Sequence, residues 1–302
     1  MVELGYIENI LLDFEWNFPS IVRLYFFMQL FMFIITLISV ILVLWDGYIT
    51  YRYPQFHINF GILKANLFIS FFVLTIARQI IFIATYQCYT KENCYITQLY
   101  ILKDYYHFEI LKYTSMIAFL VSACWITCER IWANIYLKSY ENKKSIKVII
   151  IIVIFQWIAS FTAIWLFFNG YLPFLPPVII GNLLYFLLAI VYYRLVAINR
   201  HRHKFLKYAV NSYSLSERFQ VAENVRTAPI ILSLLKVGLI LNTLQFFSAG
   251  VIFYSSESIY KQIFKLIWDF CLTIYPYPVI ISIIFGVEKW RNIVLKFVFN
   301  FH

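Results

Sequence analysis

The 22 residues Leu24–Trp45, LYFFMQLFMFIITLISVILVLW, contain no charged side chain. A helix of that length rises far enough to cross the roughly 30 Å hydrocarbon core of a bilayer. Only a helix or a closed barrel satisfies its backbone groups there, and an apolar run without alternation favours the helix. Asp46-Gly47 and Tyr53-Pro54 follow and read as a short loop, which places a first span at about 22–45. Upstream, residues 1–21 hold Glu3, Glu8, Asp13 and Glu15 and no Lys or Arg. That is the reverse of a basic signal-peptide start, so the first run is expected to be retained as the membrane-targeting segment.

The remaining sequence repeats the pattern. A second span is expected at about 59–86, with Lys64 near one end, where it would snorkel, and Arg78 about two turns from the other. The polar stretch Gln87–Glu109 leads to a third span at about 110–137, which carries Glu129-Arg130 near its end. After Lys138, Lys143, Lys144 and Lys147 comes a charge-free run from Val148 to Tyr193. Its 46 residues are too many for one helix, and Asn169-Gly170, Pro173 and Pro176-Pro177 divide it into spans at about 147–168 and 175–198. The longest basic loop follows. Within it Ser214-Leu215-Ser216-Glu217 reads as a capping box, so the helix of span six (227–254) is expected to begin well before its apolar part. Span seven is expected at about 263–285. In the tail, 287–302, Val287, Trp290, Ile293, Val294, Phe297 and Val298 recur at spacings of three and four, as in an amphipathic surface helix.

Composition agrees. Hydrophobic residues make up 62% of 302 and charged residues 13%, against about 45–50% and 25% in soluble domains. Orientation follows from the basic residues. With seven spans and the N-terminus outside, 16 Lys and Arg fall on the inner side and 5 on the outer. The reading is therefore an all-α membrane protein, a seven-transmembrane-helix bundle with the N-terminus outside and an amphipathic helix at the end, forming one domain over 1–302. The net charge of +10 is then an inside-positive bias beside anionic lipid. His201 and His203 in the basic third inner loop do not argue for metal or nucleic acid. No nucleophile motif, acid–base pair or phosphate loop points to an enzyme, and none points to a cofactor.

The strings Glu129-Arg130-Ile131-Trp132-Ala133, Tyr140-Glu141, Arg218-Phe219-Gln220 with Glu223-Asn224, and Tyr275-Pro276-Tyr277-Pro278 narrow this further. With them the chain resembles the nematode serpentine chemoreceptors of class epsilon, the Sre family, over nearly its whole length. The resemblance implies a G-protein-coupled receptor for environmental chemicals in sensory neurons, in their plasma (ciliary) membrane. Its partners would be a heterotrimeric G protein at the cytoplasmic face, a small-molecule ligand and membrane lipid. It also implies a switch: an acidic residue followed by Arg at the inner end of span three, with Arg130 held by Glu129 directly or by Glu223 across helices. The alternative for Arg130 is a headgroup anchor. Two other functions stay open: a ligand-gated cation channel of the insect chemoreceptor type, which runs with its N-terminus inside, and a receptor-like membrane protein that does not signal.

Within the receptor architecture spans two and seven are neighbours. An interhelical pair or ligand contact by Arg78 and Asp269 is therefore expected, against Asp269 being satisfied by Lys265. A ligand pocket is expected between the outer halves of the spans, lined by aromatic residues including Trp268. Cys88 and Cys94 share the first outer loop and are expected to form a local bridge or else stand as free thiols. Cys124, Cys128 and Cys271 read as inert thiols in the spans.

Overall fold

The computed structural model describes residues 19–53, 56–89, 105–136, 146–173, 175–206, 214–255 and 257–299. Among them nine helices are formed and no strand. They are α1 (Pro19–Arg52), α2 (Ile58–Tyr89), α3 (Tyr106–Ile135), α4 (Ile146–Phe168), α5 (Leu175–Leu206), α6 (Leu215–Tyr254), α7 (Ser258–Ile274), α8 (Pro276–Gly286) and α9 (Glu288–Phe299). Seven stretches are long and apolar enough to cross a membrane, the last running through α7 and α8. Apolar side chains on α4 and α5, such as Ile151, Phe155, Leu183 and Leu187, are exposed. A lipid-facing surface accounts for them, since acyl chains are as apolar as leucine.

Several boundaries follow from named residues. At the start of α6 both halves of the capping box close: the Ser214 hydroxyl accepts from the Glu217 N–H, and the Glu217 carboxylate accepts from the Ser214 N–H. The helix therefore begins about three turns before the apolar span. α4 is capped by Gly170, two residues past its end, whose φ of +76° suits a residue without a Cβ. The Gly170 N–H reaches Phe167 O at 3.0 Å and the Tyr171 N–H reaches Leu166 O at 2.9 Å, the paired bonds of a Schellman cap. Span seven is broken at Tyr275, because Pro276 brings no N–H and its ring clashes with the preceding turn.

One expected loop is not a loop. Asp46-Gly47 lies inside α1, which continues to Arg52. A turn signal has been overridden by a tertiary contact described below.

α3 runs through the middle of the bundle against α2, α4, α5 and α6, while α1 and the α7–α8 segment close the other side. Polar side chains tie the inner layers together. Asn66 donates to Ser122 Oγ at 2.8 Å and Trp157 Nε1 donates to Asn66 Oδ1 at 3.0 Å. Gln156 donates to Ala118 O at 2.5 Å, joining α2, α3 and α4. With no water in the hydrocarbon layer such bonds have few competitors.

Candidate functional site

The end of the bundle that carries the basic loops holds most of its buried charge. Arg130, on the last two turns of α3, is fully buried at 0% exposure, and so is Glu223 on α6. Burial of a guanidinium at this depth requires carboxylates in good geometry. Two are supplied. Arg130 Nε and Nη2 meet the Glu129 carboxylate at 2.5 and 2.6 Å, a forked pair from the neighbouring residue. Nη1 meets Glu223 Oε1 at 3.1 Å, across to α6. The same Oε1 accepts the His57 backbone N–H at 2.9 Å, which brings in the entry to α2. Below this layer Asn134 donates to Arg130 O at 2.7 Å and Asn224 donates to Asn134 Oδ1 at 3.1 Å, a second bridge between α3 and α6. Arg130 is thus held inside the bundle, and the headgroup-anchor alternative does not describe its placement.

The inner end of α6 is under-satisfied. Gln220 is fully buried, and neither end of its carboxamide has a partner among the described residues. Glu223 Oε2 and Asn224 Oδ1 likewise have none. Each unpaired buried polar group costs about 1–3 kcal/mol. The segment that carries the Arg218–Asn224 string is therefore also one whose packing is weakly favoured.

A second buried pair stands beside the first. Lys64 Nζ meets Asp46 Oδ2 at 2.7 Å, with side-chain exposures of 2% and 0%. It also donates to Thr50 Oγ1 at 2.6 Å. Lys64 does not snorkel as its place near a span end suggests; it turns into the bundle because the carboxylate of α1 is there to meet it. The sequence carried a usable signal. Asp46 lies six residues before the end of α1 at Arg52, and Lys64 six residues after the start of α2 at Ile58. In antiparallel neighbours joined by a short connection, positions equidistant from it come side by side.

Aromatic rings join the two pairs. Arg130 lies over the Phe60 ring at 5.1 Å, Phe60 packs on Phe56 at 4.9 Å, and Phe56 meets Trp290 edge-on at 5.4 Å. Lys64 Nζ sits over the Trp290 ring at 4.5 Å, a favourable cation–π geometry. Trp290 is fully buried and donates Nε1–H to Tyr53 O at 3.0 Å. The tail helix α9 is amphipathic, as its spacing indicated, yet its first turn is plugged into the bundle rather than laid on the membrane alone.

In the outer half Arg78 does reach α7, but its Nη1 closes on Thr273 Oγ1 at 2.6 Å and its Nη2 on Met32 Sδ at 3.8 Å. The expected Arg78–Asp269 ion pair is not made. Thr273 stands one turn nearer the bundle centre and its hydroxyl is bonded back to Asp269 O at 2.8 Å, so the guanidinium meets that hydroxyl first. Asp269 accepts from Gln29 Nε2 at 3.5 Å instead. Lys112 is buried in α3 and paired with Glu109. A small apolar cavity lies just below, between α2, α3, α6 and α7. Phe71, Phe119 and Tyr275 are its aromatic lining, and Trp268 is not among the lining residues. Cys124, Cys128 and Cys271 are free thiols. The side chain of Cys88 and all of Cys94 lie outside the described residues.

The seven-span bundle with its buried Arg–carboxylate centre can be set beside known proteins. No curated protein matches the chain. A family model described as Sre G protein-coupled chemoreceptor matches residues 9–302. That is essentially the whole sequence, of a receptor family and not an enzyme family, and it fits an integral membrane protein with seven spanning helices. The chain belongs to the Sre family of G protein-coupled chemoreceptors.

Proposed function

We propose that this protein is a ligand-activated receptor that signals through a heterotrimeric G protein, held at rest by the Arg130–Glu223 pair. It would act in the plasma (ciliary) membrane of sensory neurons, on a small environmental molecule. The observation that carries the reading is the pair itself: a fully buried guanidinium on α3, bound to a carboxylate of its own helix and to one on α6.

The two carboxylates have different roles. Glu129 travels with Arg130 and keeps it charge-compensated in any arrangement of the helices. Glu223 is the part that separates. Its departure with the inner segment of α6 would cost one interhelical ion pair, the His57 N–H bond and the Asn224–Asn134 bond. The cost is lowered by the polar groups of α6 that already lack partners. Pro229 lies inside α6, six residues beyond Glu223. It removes one backbone hydrogen bond there and makes the inner segment of α6 the part that swings. A ligand in the outer half shifts this equilibrium only as far as it prefers the open arrangement. A G protein would then find the space vacated by α6, with Arg130 able to meet its backbone carbonyls.

The test is a reporter screen of odorants on cells expressing the chain, repeated with Arg130→Ala. The variant leaves the buried Glu129 and Glu223 carboxylates without their cation, so response is read per receptor at the surface, and the reading expects it to be lost. A full response from the variant contradicts it.

A further inference from the structure

We infer that Trp290 is a positioning residue for the resting lock: docked in the bundle, it clamps the connection between α1 and α2, and that connection holds Glu223 against Arg130. This role rests on the receptor reading above and brings the tail helix α9 into the same switch.

The connection joins the end of α1 at Arg52 to the start of α2 at Ile58, and its described residues face two ways. On the tail side, Tyr53 O accepts the Trp290 Nε1–H at 3.0 Å, and the Phe56 ring meets the Trp290 ring edge-on at 5.4 Å. Lys289 Nζ, the next residue of α9, lies over the Tyr53 ring at 5.4 Å. On the lock side, the His57 N–H donates to Glu223 Oε1 at 2.9 Å. The Phe60 ring packs on Phe56 at 4.9 Å and lies under the Arg130 guanidinium at 5.1 Å. Phe56 and His57 are adjacent in the chain. A single planar peptide unit therefore separates the residue that receives Trp290 from the N–H that reaches Glu223, and its stiffness makes the two move together.

Glu223 depends on that N–H. Its Oε1 takes Arg130 Nη1 and the His57 N–H, while Oε2 has no partner among the described residues. Among those residues the His57 N–H is thus the donor, apart from Arg130 itself, that aims the carboxylate. The clamp in turn is firmly seated. Trp290 is fully buried, and Lys64 Nζ lies over its ring at 4.5 Å while paired with Asp46. When Trp290 leaves this seat, Tyr53 O loses its donor and Phe56 its neighbour. The connection relaxes, the His57 N–H turns from Glu223, and the inner segment of α6 separates more easily. Docking of the tail helix therefore favours the resting arrangement by about one hydrogen bond.

The test uses the purified full chain in lipid nanodiscs and two matched variants, Trp290→Phe and Trp157→Phe. Each keeps a ring and removes one indole N–H bond of 3.0 Å, the first to Tyr53 O and the second to Asn66 Oδ1 in the middle of the bundle. Hydrogen exchange at the His57 amide, followed by mass spectrometry, reports the bond to Glu223 with no G protein present. Exchange there is expected to quicken about two- to tenfold in Trp290→Phe, as one net hydrogen bond allows, and to keep the wild-type rate in Trp157→Phe. Basal nucleotide exchange on an added heterotrimeric G protein is expected to rise by a similar factor in Trp290→Phe. In a Glu223→Gln background the same substitution is expected to add nothing, because the contact it acts through is already weakened. The proposal is overturned if Trp290→Phe leaves the His57 amide unchanged, or if Trp157→Phe quickens it equally. It is also overturned if Glu223→Gln raises basal exchange and Trp290→Phe does not, or if Trp290→Phe raises it as much in the Glu223→Gln background as in wild type. A quickened His57 amide with no nucleotide exchange from any variant, Glu223→Gln included, would sink the receptor reading and leave the clamp standing.

Discussion

Replacing Lys64 by Met removes the ammonium from a pair in which both side chains are sealed from solvent, at 2% and 0% exposure. The Asp46 carboxylate would keep its place in α1 and lose its only ion-pair partner among the described residues. Removing one member of a buried pair costs about 3–5 kcal/mol. The cation–π contact of Nζ with Trp290, at 4.5 Å, goes with it, and a desolvated contact of that kind contributes about 2 kcal/mol. The double variant Asp46→Leu/Lys64→Met removes both charges and replaces them with apolar side chains. Such replacements are often neutral or stabilising, so its cost is expected to stay below that of Lys64→Met alone. The assay is thermal unfolding in detergent, followed by a thiol-reactive dye that reports exposure of Cys271, which is 3% exposed in the folded protein. The expected result is a steep loss of stability in the Lys64 variant and recovery in the double. A Lys64→Met cost under about 1 kcal/mol, or a double variant as unstable as the summed singles, would show that the pair is not coupled in the folded protein.

Further outcomes follow from the same geometry. Trp290→Ala removes a fully buried ring and the Nε1–H bond to Tyr53 O; a loss of about 3–5 kcal/mol is expected, together with faster proteolysis of the tail beyond Val287. Because Arg78 closes on Thr273, exchanging the charges of Arg78 and Asp269 is expected to give no recovery of surface expression over the single variants, whereas Thr273→Val alone is expected to lower it. Measuring surface amounts of the three decides between the two partners.

Much of the bundle could be read directly from the chain because lipid imposes a simple rule on each segment separately. The 22 uncharged residues from Leu24, the Asn169-Gly170 break and the Ser214–Glu217 capping box each act over a few residues, and the structure shows each as the sequence suggested. What failed was the assumption that a charge near a span end turns outward. Lys64 turns inward because Asp46 is opposite it, and no single helix carries that information. The same holds for Arg78, whose partner was set by which group on α7 lay at its level. The Glu129–Arg130–Glu223 cluster can be anticipated only through the family strings, and spacing alone makes Trp290 one more apolar position on a surface helix. Its docking depends on a cation contributed from α2. Contacts between distant elements were illegible where they depended on side-chain direction, and legible where a symmetric spacing about a short connection fixed them.

In the proposed resting arrangement Glu223 holds Arg130. The most direct test is basal nucleotide exchange on a purified heterotrimeric G protein, catalysed by the chain in nanodiscs, wild type against Glu223→Gln at equal receptor amount. Glutamine keeps the shape and one hydrogen bond while removing the charge, a loss of about 1–2 kcal/mol of interhelical restraint. Basal exchange is predicted to rise about five- to thirtyfold. An unchanged rate in the Glu223→Gln protein would show that Glu223 does not hold the resting arrangement.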